Sequence, residues 1–173
     1  MLGDVLAALP ANFPAAIVVV QHLQRDRKSV MSDILNRRTP LNVIEARTGD
    51  KIAPGQVHIA PPNHHLLVNP DGSLLLTQTE LVHFVRPSAD LLFESVAASF
   101  RERAIAVVLS GAGIDGALGV KAMKKTGGTV IVQQGAQFTG MPDAAEATGV
   151  ADFIIPVAAI AATLRKLTQE DAA

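Results

Sequence analysis

The stretch from Ala104 to Thr126 constrains this chain more than any other. Its first part, AIAVVLS, is an apolar, β-branched run that fits a strand covered on both faces of a sheet. GAGIDG follows, a glycine-dense turn, and then ALGVKAMKKT, which reads as an amphipathic helix closed by Gly127 and Gly128. Strand, tight turn and helix form the repeating unit of an open α/β sheet, whose sites lie at the carboxyl ends of the strands. Asp115 sits in that turn, so the site is expected there.

Two chemistries compete for the turn. Gly111, Gly113 and Gly116 match G-x-G-x-x-G in the strand-to-helix setting of a dinucleotide fingerprint. That fingerprint wants an acidic residue about 20 positions on, at the end of the next strand, to hold a ribose. Here the strand TVIVQQ ends in Gln133 and Gln134. Asp115 would also aim a carboxylate at the place of a pyrophosphate. An aspartate presented by a rigid turn to orient a histidine fits better.

The remaining chain supports one fold class. MLGDVLAAL predicts a helix over 1–9, ended by Pro10, and AAIVVVQH a strand with His22 just past its end. A helix is expected from about Lys28 to Arg38, burying Val30, Met31, Ile34 and Leu35. LNVIEA, VHIA, HLLVN and SLLLTQ are short extended segments between turn signals, read as mostly antiparallel. Ser88 is expected to cap the helix LLFESVAASFRER, which would bury Leu91, Leu92, Val96 and Phe100. After the central unit come TVIVQQ, a helix opened by Pro142, FIIP and a terminal helix that frays from Gln169. The β-α-β-α-β-α order from Ala104 onward argues for parallel strands. The expected fold is α/β and doubly wound: a mostly parallel sheet, helices on both faces, and a short antiparallel insertion over about 41–78. One domain is expected over 1–173.

Composition narrows the partners. A net charge of −1 over 173 residues gives no electrostatic footprint for nucleic acid. Arg25, Arg27, Lys28, Arg37 and Arg38 read as a solvated helix face. The chain has no cysteine, which rules out disulfides, thiolate metal sites and a cysteine nucleophile. There is no signal peptide and no apolar run of about 18 residues, so a cytoplasmic protein without membrane insertion is expected.

His22 and Asp115 are the candidate chemical pair. A hydrolase without metal or cysteine needs a histidine to take a proton from a hydroxyl and a carboxylate to fix its tautomer. His58 falls within a strand, where packing is the simpler reading. His64 and His65 have no carboxylate at ligand spacing, so no metal site is expected. His83 lies close to Arg86 and could line a cleft.

These residues carry a resemblance. VVVQHL (18–23), KIAPGQVHIAPPNHHLLV (51–68), VRPSADLLFESVA (85–97), VVLSGAGIDGALGVKAM (107–123), TVIVQQ and FTGMPDAA (138–145) occur in order. Over nearly its whole length the chain resembles the catalytic domain of bacterial chemotaxis protein-glutamate methylesterases. The resemblance implies hydrolysis of γ-methyl-glutamyl esters, and deamidation of certain glutamines, on cytoplasmic helices of methylated chemoreceptors. It also implies a Ser-His-Asp triad and no cofactor. His22 matches the family's base and Asp115 its orienting aspartate. Gly111, Ala112 and Gly113 match the oxyanion turn. Arg86, Gly140, Met141 and Pro142 are expected to line the substrate cleft.

Two departures stand out. The family's nucleophile lies on a turn of the type IGASTGG ahead of the helix that begins here at Leu2. That strand and serine are not in this sequence, so a longer gene product is expected, or else a non-catalytic relic. Ser29, Ser32, Ser88 and Ser110 do not replace it. Ala112 stands where many relatives carry methionine, a small loss because the donor there is backbone. The family often places a receiver domain ahead of the esterase, and none is present in these 173 residues. The rival readings are a non-catalytic module that binds the receptor or a signalling partner, and the nucleotide site of GAGIDG.

Overall fold

The computed structural model describes residues 1–22 and 30–170. Arg25, Arg27, Lys28, Ser29 and the expected fraying end at 171–173 lie outside the described residues.

Helix α1 (Leu2–Ala7) leads to strand β1 (Ile17–Val19), and α2 (Met31–Asn36) leads to β2 (Asn42–Glu45). Strand β3 (Gln56–Ile59) lies between β1 and β2 and runs parallel to both. A hairpin of β4 (His65–Val68) and β5 (Leu74–Thr77) follows. Then come α3 (Ala89–Phe100), β6 (Ile105–Val108), α4 (Ala117–Lys125), β7 (Thr129–Gln134), α5 (Gly140–Glu146), β8 (Phe153–Pro156) and α6 (Val157–Glu170). Strands β6, β7 and β8 form a second parallel sheet with β7 in the middle.

Apolar side chains cover both faces, as the continuous apolar strands require. On one face Leu6 and Leu9, Val57 and Ile59, Ile131 and Ile160 share a core that spans both parallel sheets. On the other, Ala97, Ala106 and Val108, Val120 and Met123, Val130 and Ala145 pack α3, α4 and α5 onto β6 and β7. Alternation along β6 divides its residues between these cores: Ala106 and Val108 are buried toward the helices α3 and α4, and Ile105 and Val107 pack half-buried on the opposite face.

Two expectations need correction. The antiparallel insertion is narrower than 41–78, because β2 and β3 belong to the parallel sheet and only β4 and β5 pair antiparallel. Ala53-Pro54-Gly55 lies in the crossing between the parallel neighbours β2 and β3, and Asp71-Gly72 lies in the turn of the β4–β5 hairpin. Helix α2 buries Leu35, whereas Val30 and Ile34 are exposed. Six residues are too few for a full apolar stripe. Polar bonds secure the helix: Asn36 donates to the Val43 carbonyl at 2.7 Å and accepts from the Val43 N–H at 2.9 Å.

Candidate active site

Two strand ends build the site. β1 stops at Val19 and His22 follows it; β6 stops at Val108 and its turn into α4 carries Asp115. His22 Nε2 lies 2.8 Å from Asp115 Oδ2 across 93 positions of sequence. The imidazole is a quarter exposed, and the carboxylate is buried.

The start of α3 holds Asp115 from the other side. Ser88 Oγ–H donates to Oδ1 at 2.8 Å, Asp90 N–H to Oδ1 at 3.1 Å, and Ala89 N–H to Oδ2 at 2.6 Å. Burial pushes this carboxyl up, but the bonds from His22, Ala89, Asp90 and Ser88 outweigh it and hold Asp115 below the ordinary carboxylate value. The positive end of the helix favours the same charge. With Asp115 ionised, His22 Nε2 must be the donor, which leaves Nδ1 as the nitrogen able to take a proton.

The glycine turn is clasped by the loop after β7. Gly111 N–H donates to the Phe138 carbonyl at 3.0 Å, and Met141 N–H donates to the Gly111 carbonyl at 2.8 Å. Phe138 N–H reaches Ser110 Oγ, and Ser110 N–H reaches Gln133 Oε1, both at 2.9 Å. A Cβ on Gly111 would come within 2.5 Å of Met141 Sδ, so a larger residue there would require the Met141 side chain to shift. The Gly111 N–H is therefore spent on the clasp. Ala112 and Gly113 are exposed, and among the described residues their N–H groups have no acceptor. They are among the donors the turn leaves open.

The four expected cleft residues fare differently. Arg86 is a clamp: Nε and one terminal nitrogen donate to Asn63 Oδ1 at 3.0 and 2.7 Å, and the other reaches the Gln78 and Thr79 carbonyls at 3.0 and 2.7 Å. Met141 packs on Gly111, Pro142 is buried, and Gly140 lies against Gly113. The loop 138–142 thus supports the turn with its backbone and packing.

A second imidazole–carboxylate pair went unread in the sequence. His83 Nε2 lies 3.1 Å from Asp90 Oδ2, and Asp90 Oδ1 accepts the Gly119 N–H at 2.7 Å. Its signal was the acidic residue two places into a helix preceded by a histidine. The other histidines are structural: His65 is fully buried, accepts the Ser88 N–H at Nδ1 and donates to the Glu80 carbonyl. His64 Nδ1 donates to the Pro62 carbonyl. His58 is buried in β3 with Nδ1 unpartnered, and burial holds its imidazole below the usual value. Among the described residues, no helix is long and apolar enough to cross a membrane.

An α/β domain of parallel strands, with a histidine and an aspartate meeting at two strand ends, belongs to the enzymes that work at the carboxyl edge of such sheets. The CheB methylesterase family model matches residues 1–164, and the chain belongs to that family of carboxylic ester hydrolases. A protein-glutamate methylesterase/protein-glutamine glutaminase of Symbiobacterium thermophilum is 36% identical over 171 residues, 98% of this chain and 47% of the relative. One from Burkholderia lata is 44% identical over 165 residues, 94% of this chain and 49% of the relative. The chain spans about half the length of these two. A putative relative from Leptospira interrogans is 36% identical over 173 residues, with 98% of this chain and 89% of that one covered. The crystal structure of the Thermotoga maritima CheB methylesterase catalytic domain superposes with a TM-score of 0.90 at 35% identity, covering 95% of this chain and 90% of that one.

Proposed function

We propose that this chain is the esterase domain of a protein that removes methyl groups from γ-methyl-glutamyl esters, and deamidates glutamines, on the cytoplasmic helices of chemoreceptors. The observation that carries the reading is the 2.8 Å bond between His22 and a buried Asp115 braced by the start of α3.

In this reading His22 is the general base. Its Nδ1 takes the proton of an attacking hydroxyl, and Asp115 keeps Nε2 protonated and stabilises the imidazolium that forms. The N–H groups of Ala112 and Gly113 meet the oxyanion of the tetrahedral intermediate. The imidazolium then gives its proton to the departing methanol, or to ammonia when the substrate is a glutamine. Water repeats the attack on the acyl-enzyme and restores the carboxylate. The hydroxyl belongs to a serine on a glycine-rich turn ahead of α1, as in the family's IGASTGG pattern. Among the described residues no serine is hydrogen-bonded to His22, and Ser88 and Ser110 are engaged elsewhere.

The test is methanol release from methylated receptor by the 173-residue chain and by a version extended to carry that strand and serine. The extended version should turn over and the shorter chain should not. His22→Ala should abolish the activity. Turnover that persists in that variant rules the triad out, and receptor binding without turnover in either version selects the non-catalytic module.

A further inference from the structure

We infer that Ser88 is a positioning residue for the His22–Asp115 pair, acting through its hydroxyl, in addition to capping α3. This rests on the reading of those two residues as base and orienting carboxylate.

Ser88 is fully buried, and its Oγ has two partners. It accepts the Leu91 N–H at 3.4 Å, the long capping bond, and lies 2.8 Å from Asp115 Oδ1. Leu91 N–H is a donor, so the hydroxyl proton goes to the carboxylate. That bond is charge-assisted and is the stronger of the two. The order in space is Ser88, Asp115, His22, with the carboxylate in the middle. A nucleophilic serine needs the imidazole in the middle, so Ser88 braces and does not attack.

The brace fixes an orientation. Oδ1 faces Ser88 and the Asp90 N–H, and Oδ2 faces the Ala89 N–H and His22. Rotating the carboxylate breaks bonds at both oxygens, so its plane, and with it the acceptor presented to Nε2, stays put. Ser88 is itself secured, because its N–H donates to Nδ1 of the buried His65 at 3.2 Å and that ring's other nitrogen holds the Glu80 carbonyl. A line of bonds therefore runs from Glu80 through His65, Ser88 and Asp115 to His22.

The experiment reads the His22 tautomer by nitrogen NMR in the 173-residue chain, comparing wild type with Ser88→Ala, Ser88→Gly and Ser88→Thr. Glycine replaces serine at a helix N-cap with far less loss than alanine does. Ser88→Gly therefore removes the hydroxyl and keeps most of the cap. The wild type should hold the proton on Nε2. Both Ala and Gly variants should raise the Nδ1–H fraction at least about threefold, and Ser88→Thr should restore the wild-type signal. A wild-type tautomer in folded Ser88→Gly overturns the inference and leaves a cap alone. Failure of both the Ala and Gly variants to fold, with Ser88→Thr normal, overturns it too, since the hydroxyl is then a folding requirement. Asp115→Asn separates the two levels: if it leaves His22 unchanged, the pairing itself is wrong.

Discussion

Asp115 and Asp90 cap each other's helices. Asp115, in the turn that enters α4, accepts the N–H groups of Ala89 and Asp90 at the start of α3; Asp90, in the first turn of α3, accepts the N–H of Gly119 in the first turn of α4. Each carboxylate satisfies donors that a helix start leaves open, and each sits near the positive end of a macrodipole. The arrangement joins the element that carries the candidate carboxylate to the one that braces it. Disturbing either start should reach His22.

Gly119 lets the two helices come this close. A Cβ there would sit 2.6 Å from Phe93 Cβ and 3.1 Å from Asp90 Cα. Alanine is about 1 kcal/mol better than glycine within a helix, but overpacking costs about 1–3 kcal/mol. Gly119→Ala should therefore lower the urea midpoint, against the propensity trend. A midpoint above wild type would show that the helices can part without loss.

Asp90→Ala should be more costly than an ordinary surface change. It strands the buried Gly119 N–H and takes the partner of His83 away. An unsatisfied buried donor costs about 1–3 kcal/mol. Asp90→Asn keeps an acceptor for Gly119 and should recover most of the loss in chemical denaturation.

In the serine-bearing version, Asp115→Asn should lower kcat by about 10⁴ by permitting the wrong tautomer, as in triads of this design. KM should stay within a few-fold, because the buried carboxylate is covered by His22 and α3. Steady-state methanol release separates the two constants, and a loss confined to KM would remove Asp115 from the chemistry.

The pH dependence of stability should carry a mark of His58. Its folded value lies below the usual one of about 6.5 because burial disfavours the charged ring. Between the two values the unfolded chain binds more protons, so stability rises with pH across that window. The contribution is complete above about pH 6.5 and is lost as pH falls toward the folded value. Urea midpoints from pH 7.5 to 5.5 should therefore decline, and His58→Leu should flatten the decline. Asp115 acts in the same direction but at lower pH, below about 4, where its depressed value is approached.

Arg86→Lys should weaken the fold more than the site. One ammonium cannot reproduce the fork that spans Asn63 and the carbonyls of Gln78 and Thr79. A loss of about 1 kcal/mol is expected from the lost hydrogen bonds, since water can reach the exposed Gln78 and Thr79 carbonyls, and it is read as a lower thermal midpoint.

The central strand, the glycine turn, and the placement of His22 and Asp115 at strand ends were legible because apolar periodicity and turn chemistry are local signals. The parallel pairing of β2 with β3 was not, since Ala53-Pro54-Gly55 breaks a strand equally well before a reversal or a crossing. The clamp made by Arg86 was hidden for a related reason: a guanidinium in a loop does not announce which carbonyls and amides it will bond. The role of Gly111 and the crossed caps depend on donors and acceptors that lie far apart in sequence. Only the folded geometry reveals them.

The carboxamide of Asn36 has a consequence for how this molecule meets its own copies. By taking both the N–H and the carbonyl of Val43, it occupies the outward hydrogen-bonding groups at the middle of β2 as a neighbouring strand would. An open rim of that kind is a template for edge-to-edge aggregation. Here one short side chain blocks it at Val43, so a second molecule would have to break two good bonds before it could pair with β2 at that residue.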